Sequence, residues 1–262
     1  MLSQNAKHLF ARLGLPYPAI AVKFSFDRPE GIPRTDETLS FCQFVKKAQD
    51  SGKTFYITAQ DDNCCGKIAL GMIPKQPFTA SGMEGVDFGV YRTPAPNARL
   101  HQELPVLTHG AHNYVTFAPV ADCQFDPDLV ICVAQVEQAE ILMRATSYIS
   151  GDLWESRSSS VVSCAWTYAY PYISGKVNTC ITGMHHGLKR RKIYPSGLHI
   201  ISIPYQKLGE VVEALGEMDW VPIGFREDEQ SKAELRARMD HWQEIIAQSN
   251  IPHTDVFVKP ED

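Results

Sequence analysis

Two spacings of apolar residues recur along the chain, and each marks a kind of element. Ala6, Leu9 and Leu13 share one face of an amphipathic helix over residues 3–13, which Gly14 and Pro16 stop. Residues 19–26 (AIAVKFSF) are a β-rich run with Lys23 inside it, and Pro29, Gly31 and Pro33 then make a loop. Phe41, Val45 and Ala48 line one side of a helix over residues 39–49, and beyond Gly52 residues 54–59 form a strand. Residues 61–72 (DDNCCGKIALGM) turn through Cys64, Cys65 and Gly66 into a short helical stretch. Gly- and Pro-rich sequence over residues 71–97 reads as loop.

In the second half, residues 114–118 form a strand, and residues 128–134 (DLVICVA) are apolar almost throughout, as in a strand buried on both faces. A helix follows over 137–148, then an aromatic stretch over 166–172, a strand over 198–203 and helices over 205–218 and 228–249. The last dozen residues read as a tail. Strands alternating with helices imply an α/β fold, a mixed sheet with helices packed on it. Strand, helix and cysteine recur in similar order in both halves, a faint echo suggesting two pseudo-repeats. The domain reading is one α/β domain over 1–225, with a C-terminal helix and tail over 226–262.

Composition narrows the function classes. The formal charge is −5, so no general basic field draws the chain to nucleic acid or anionic lipid. The basic run at residues 189–192 (KRRK) reads as a solvated turn. No apolar run reaches the roughly 20 residues that span a bilayer, and the first twenty residues lack a secretory pattern. The default location is therefore the cytoplasm, with no membrane partner. Glycine-rich nucleotide fingerprints, the phosphate loop, the serine nucleophile turn and the His-Glu-x-x-His pattern are all missing.

The seven cysteines change the picture. Their odd number and the absence of an export signal argue for reduced thiols that pack or bind metal. Cys123 and Cys132 read as small buried hydrophobes. Cys64 and Cys65 lie in a polar turn at a helix start, where free N–H groups favour a thiolate. Neighbouring side chains diverge, so one of the two is expected to ligate. Cys180 sits in a polar turn (VNTCITG), Cys164 precedes the aromatic stretch and Cys42 opens a helix. Thiolates gathered from both halves suit zinc or a four-iron cluster, although no C-x-x-C pair is present. His109, His112, His185 and His186 are secondary candidates, read as surface or hydrogen-bonded residues.

The order of short motifs carries a resemblance. Pro18-Ala19-Ile20-Ala21-Val22-Lys23-Phe24 comes first, then Cys42-Gln43, Asp61-Asp62-Asn63-Cys64-Cys65-Gly66 and Leu70-Gly71. Ala118-Pro119-Val120, Pro127-Asp128-Leu129-Val130 and Tyr148-Ile149-Ser150-Gly151 follow. Cys164, Asn178-Thr179-Cys180-Ile181-Thr182-Gly183 and Ile203-Pro204 complete it. Over residues 8–210 the chain resembles the prokaryotic family catalogued as domain of unknown function 169. The resemblance implies a cysteine-lined site on Cys42, Cys64 or Cys65, Cys180 and often Cys164. In place of the expected arginine-bearing stretch, two histidines precede Gly187.

Three functional expectations result. The first is an iron–sulfur protein (4Fe-4S, with zinc as the alternative metal) on Cys42, Cys64 or Cys65, Cys164 and Cys180. It would carry electrons to a small molecule or redox partner, with Lys23 holding an anionic substrate or else reaching solvent at a strand edge. The second is a non-catalytic small-molecule binder, with a pocket lined by Trp166, Tyr168, Tyr170 and Tyr172. The third is thiol chemistry at Cys64 or Cys65 without metal. A homodimer is the base-rate assembly.

Overall fold

The computed structural model describes residues 2–248. The described elements run in chain order as α1 (Gln4–Arg12), β1 (Ile20–Ser25), α2 (Phe41–Ser51), β2 (Phe55–Ile57) and α3 (Gly66–Ala69). Next come α4 (Pro77–Ser81), α5 (Met83–Asp87), α6 (Pro94–Glu103), β3 (Tyr114–Pro119), β4 (Leu129–Ala134) and α7 (Val136–Ala145). A π-helical turn (Ala165–Ala169) leads into α8 (Tyr170–Ser174), β5 (Asn178–Ile181), α9 (His186–Arg190), β6 (His199–Pro204), α10 (Tyr205–Glu217) and α11 (Glu229–Gln248).

The six strands form one sheet in the order β2-β3-β1-β4-β6-β5, and every ladder between them is antiparallel. The α/β reading of the sequence holds. Side chains alternate across a pleated strand, so β1 sends Ile20, Val22 and Phe24 to one face and Ala21 and Lys23 to the other. The first face packs against α2 through Phe41, Phe44, Val45 and Ala48, and against Ala165, Tyr168 and Ala169 of the π-helical turn. Against the second face lie α7 and α10, with α1 packed on α10. Strand β4 is buried at all six positions, as its continuous apolar run implies.

Exchanging β1, β2 and β3 for β4, β5 and β6 reproduces the strand order read from the other edge. The helices break that exchange, because α2 covers one face and α7 the other. The stretch 151–162, set against β2 in the sequence echo, forms no strand. The halves therefore do not repeat element for element.

Two local expectations are corrected. Residues 71–97 are not plain loop: they carry α4, α5 and the start of α6. Pro77 and Pro94 open α4 and α6 within the first helical turn, where a missing N–H costs nothing. Gly82, at φ +78°, ends α4 in the left-handed region and leads into α5. Cys180 lies within strand β5 and not in a turn.

The chain divides into two compact units, Met1–Glu217 and Met218–Asp262. The first holds the whole sheet, and α11 belongs to the second. The tail read into the last dozen residues lies outside the described residues.

Candidate functional site

The site grows from the starts of two helical segments on one face of the sheet. Ser40 precedes α2, and Gln43 Oε1 accepts from the Ser40 N–H at 3.1 Å and from its hydroxyl at 2.9 Å. That closure sets the first turn of α2, which carries Cys42. Across from it, Ser163 and Cys164 lead into the π-helical turn. Cys42 Sγ stands 3.1 Å from Ser163 Oγ and 3.8 Å from Cys164 Sγ, residues 121 and 122 positions further along the chain. Just before them Val162 has φ +54°, a strained conformation for a β-branched residue.

The third element is the loop after β2. Asp61 is fixed by Arg34, whose Nη2 donates at 2.9 Å, and by the Thr58 N–H at 2.8 Å. Asp62 accepts from the N–H of Cys64 at 3.2 Å and of Lys67 at 2.8 Å, tying the turn into α3. Burial pushes the Asp62 carboxyl up to about 7, against the pull of those donors. Gly66 fits because any Cβ there would stand 2.4 Å from the buried ring of Phe41. The turn thus lies directly against the start of α2.

Cys64 and Cys65 stand with their sulfurs 3.9 Å apart. A hydrogen bond from the Cys65 thiol, helped by the Arg191 charge, lowers Cys64 to about 6 despite its burial. Cys65 is pushed up in turn by the same bond and by burial. Cys164 is also raised, first by its pairing with Cys42, then by burial and by charge on Cys65 and Cys64. Cys42, Cys164 and the vicinal pair therefore share one neighbourhood.

Cys180 stands apart from that group. It is buried, takes hydrogen bonds from Asn178 Nδ2 at 3.8 Å and Ser158 Oγ at 4.0 Å, and burial pushes it up to about 12. A charge on Cys42 raises it further, so it belongs to the same region without touching another thiol by hydrogen bond. Cys132 is buried within β4, and burial takes it to about 12. Cys123, also buried, donates to the Phe125 carbonyl. Among the described residues all seven cysteines are free. No set of three or more His, Cys, Asp or Glu side chains among those residues converges as a single metal site.

A cavity of about 90 Å³ opens beside the vicinal pair. Cys64, Cys65, Glu84, His101, Val161, Val162, His186, Arg190 and Arg191 are among its lining residues. The Phe88 and His186 rings stack at 4.4 Å, and Arg190 lies 5.7 Å over Phe88. Arg190 and Arg191 come from the run that the sequence places in a solvated turn. No spacing rule reveals them, because they meet the cysteines only through the packing of α9.

The remaining candidates lie elsewhere. Lys23 faces the side of the sheet opposite the cysteines, 3.4 Å from Asp128 Oδ1. Trp166 and Tyr168 are core, Trp166 Nε1 donating to Ser159 Oγ at 2.7 Å and the Tyr168 hydroxyl to the Phe41 carbonyl at 3.1 Å. Tyr170 packs against that core, and Tyr172 meets Phe24 edge-on. The space beside Tyr168 amounts to about 10 Å³, less than a guest larger than water needs. His109 is exposed. His112 is buried against Phe24, and desolvation lowers it to about 4. His185 is buried on Ser158 Oγ at 2.8 Å, so the adjacent histidines diverge.

A family profile described as an uncharacterised ArCR, DUF169, matches residues 8–214. The chain belongs to the DUF169 family. The chain is also similar to the uncharacterized protein MJ0308 of Methanocaldococcus jannaschii, 26% identical over 221 residues, covering 82% of this chain and 93% of the relative. No solved structure matches. Among the described residues of this DUF169 protein, no helix is long and apolar enough to cross a membrane.

Proposed function

We propose that the protein holds an iron–sulfur cluster, with zinc as the alternative metal, on Cys42, Cys164, Cys180 and one of Cys64 and Cys65. Its role is redox or electron transfer on a small molecule in the adjoining cavity, in the reducing cytoplasm that keeps such thiols free. The observation that carries this reading is the 3.8 Å approach of Cys42 to Cys164 beside the vicinal pair. Two thiolates on one tetrahedral metal with bonds of about 2.3 Å stand roughly 3.8 Å apart.

That spacing suits two ligands on one metal atom, as in a zinc site or on one iron of a two-iron cluster, whereas a four-iron cluster takes one cysteine per iron and would need the pair to open. Within the donor set Cys42 and Cys164 are spaced as a ligand pair, Cys180 stands apart, and no three donors among the described residues converge on one point. When bound, a cluster supplies one-electron chemistry. The chain's own contribution is to exclude water, through the buried Cys164 and Cys180, and to fix the thiols by the Ser40–Gln43 closure and the Asp62 turn.

The test is iron, zinc and acid-labile sulfide on anaerobically purified protein, with a visible spectrum. About four irons and four sulfides per chain support the cluster. Alanine at Cys42, Cys164 or Cys180 then lowers iron sharply, and alanine at Cys123 leaves it unchanged. Zinc without sulfide replaces the cluster by the alternative metal, and absence of both metals sinks the reading.

A second reading rests on Cys64, which lines the cavity beside Arg191 and takes a hydrogen bond from Cys65. It is a metal-free thiol site with Cys64 as the nucleophile. Stoichiometric alkylation at Cys64 in native, metal-free, active protein favours it.

A further inference from the structure

We infer that the cavity beside Cys64 binds a short-chain carboxylate, its charge on Arg190 and Arg191 and its carbon body against Val161 and Val162. The inference rests on the cavity being the place of the small molecule, and it does not depend on the metal.

Charge comes first. Two guanidinium groups and one carboxylate, Glu84, line the cavity. Among the described residues neither arginine has a carboxylate partner, although ion pairs occur along the rest of the chain. Neither guanidinium is tied up by a carboxylate, so both can turn N–H groups on an anionic guest, which competes with Glu84 and the Cys64 thiolate for them. A planar carboxylate suits the guanidinium fork, which bonds both of its oxygens at once. Arg190 is already placed, stacked over Phe88, whose ring stacks on His186. Less side-chain freedom is then lost on binding.

Shape and polarity choose among anions. The cavity of about 90 Å³ suits a small guest better than a long-chain one. Val161 and Val162 supply an apolar part of the lining, while the Phe88 ring stacks on His186 and carries Arg190. Phosphate would lose hydration against those valines with no hydrogen bond in return, whereas taking a short alkyl chain out of water there is favourable. The strained Val162 belongs to this lining, so the strain holds an apolar surface in the site.

The experiment is calorimetric titration of sodium propanoate into anaerobically purified full-length protein, with propanamide and inorganic phosphate as comparisons. Iron content and melting temperature are recorded on the same samples. Propanoate is expected to bind at least tenfold more tightly than either comparison. R190Q and R191Q should each weaken it at least tenfold, and R191K should recover only a minor part of the loss because an ammonium lacks the fork, all at unchanged melting temperature. Propanoate binding to iron-free protein supports the inference while removing the cluster reading. Iron-loaded protein that ignores propanoate overturns the inference and leaves the cluster standing. Equal binding by the R190Q/R191Q double variant, or tighter binding of phosphate, also overturns it.

Discussion

The thiols of this protein are set apart by their surroundings rather than by their sequence. Cys132 and Cys180, both held near 12 by burial, are inert hydrophobes unless a metal replaces the proton. Cys64 has a donor in Cys65 and a cation in Arg191. In metal-free reduced protein, iodoacetamide is therefore expected to label Cys64 first, at a rate that levels off above about pH 6. Peptide mapping should find Cys132 and Cys180 unlabelled. His112 provides a separate residue-scale test. Its folded value of about 4 lies below the usual 6.5, so the unfolded chain takes a proton that the native state refuses. Its contribution is fully present above about pH 6.5 and is lost as pH falls toward 4, by at most about 3 kcal/mol. Urea midpoints at pH 7 and pH 4.5 should differ less in His112→Leu than in the parent.

At the scale of elements, the site depends on how closely the α3 turn approaches the start of α2. A methyl group at Gly66 meets the Phe41 ring at 2.4 Å, and that ring is fully buried. Gly66→Ala is expected to cost about 1–3 kcal/mol by overpacking. Because Phe41 precedes Cys42, it should also lower iron content out of proportion to the lost stability. Melting temperature and metal analysis on one preparation check both. The Ser40–Gln43 closure acts at the same helix start. Ser40→Ala should cost about 1 kcal/mol, as the loss of an N-terminal cap does, with a smaller effect on iron because no backbone is displaced.

At the scale of the molecule, the sheet, the five candidate cysteines and the cavity all lie in the unit Met1–Glu217. The family match stops at residue 214, close to the end of that unit. A chain ending at Glu217 is therefore expected to keep the circular dichroism of the sheet and the iron content of the full chain. Loss of iron on that truncation would show that the C-terminal unit supports the site.

The hydrophobic pattern by itself determined most of the elements, because burial on one face writes its period into the chain. It placed α1, β1, α2, the buried strand β4 and the helices α10 and α11 close to their observed bounds. It missed α4 to α6, whose short helices hide under glycine and proline that punctuate them. Local sequence context and the resemblance singled out Cys42, Cys64, Cys65, Cys164 and Cys180 from the seven cysteines, and the order of motifs pointed to the family. Only the tertiary structure decided which thiols meet. Cys42 touches Cys164 because two distant helical starts abut over the sheet, and no local spacing encodes that contact. Strand parity turned Lys23 to the opposite face, since successive side chains leave a strand on opposite sides. The packing of α9 brought Arg190 and Arg191 to the vicinal cysteines, turning a run that reads as solvated into the charged wall of a cavity.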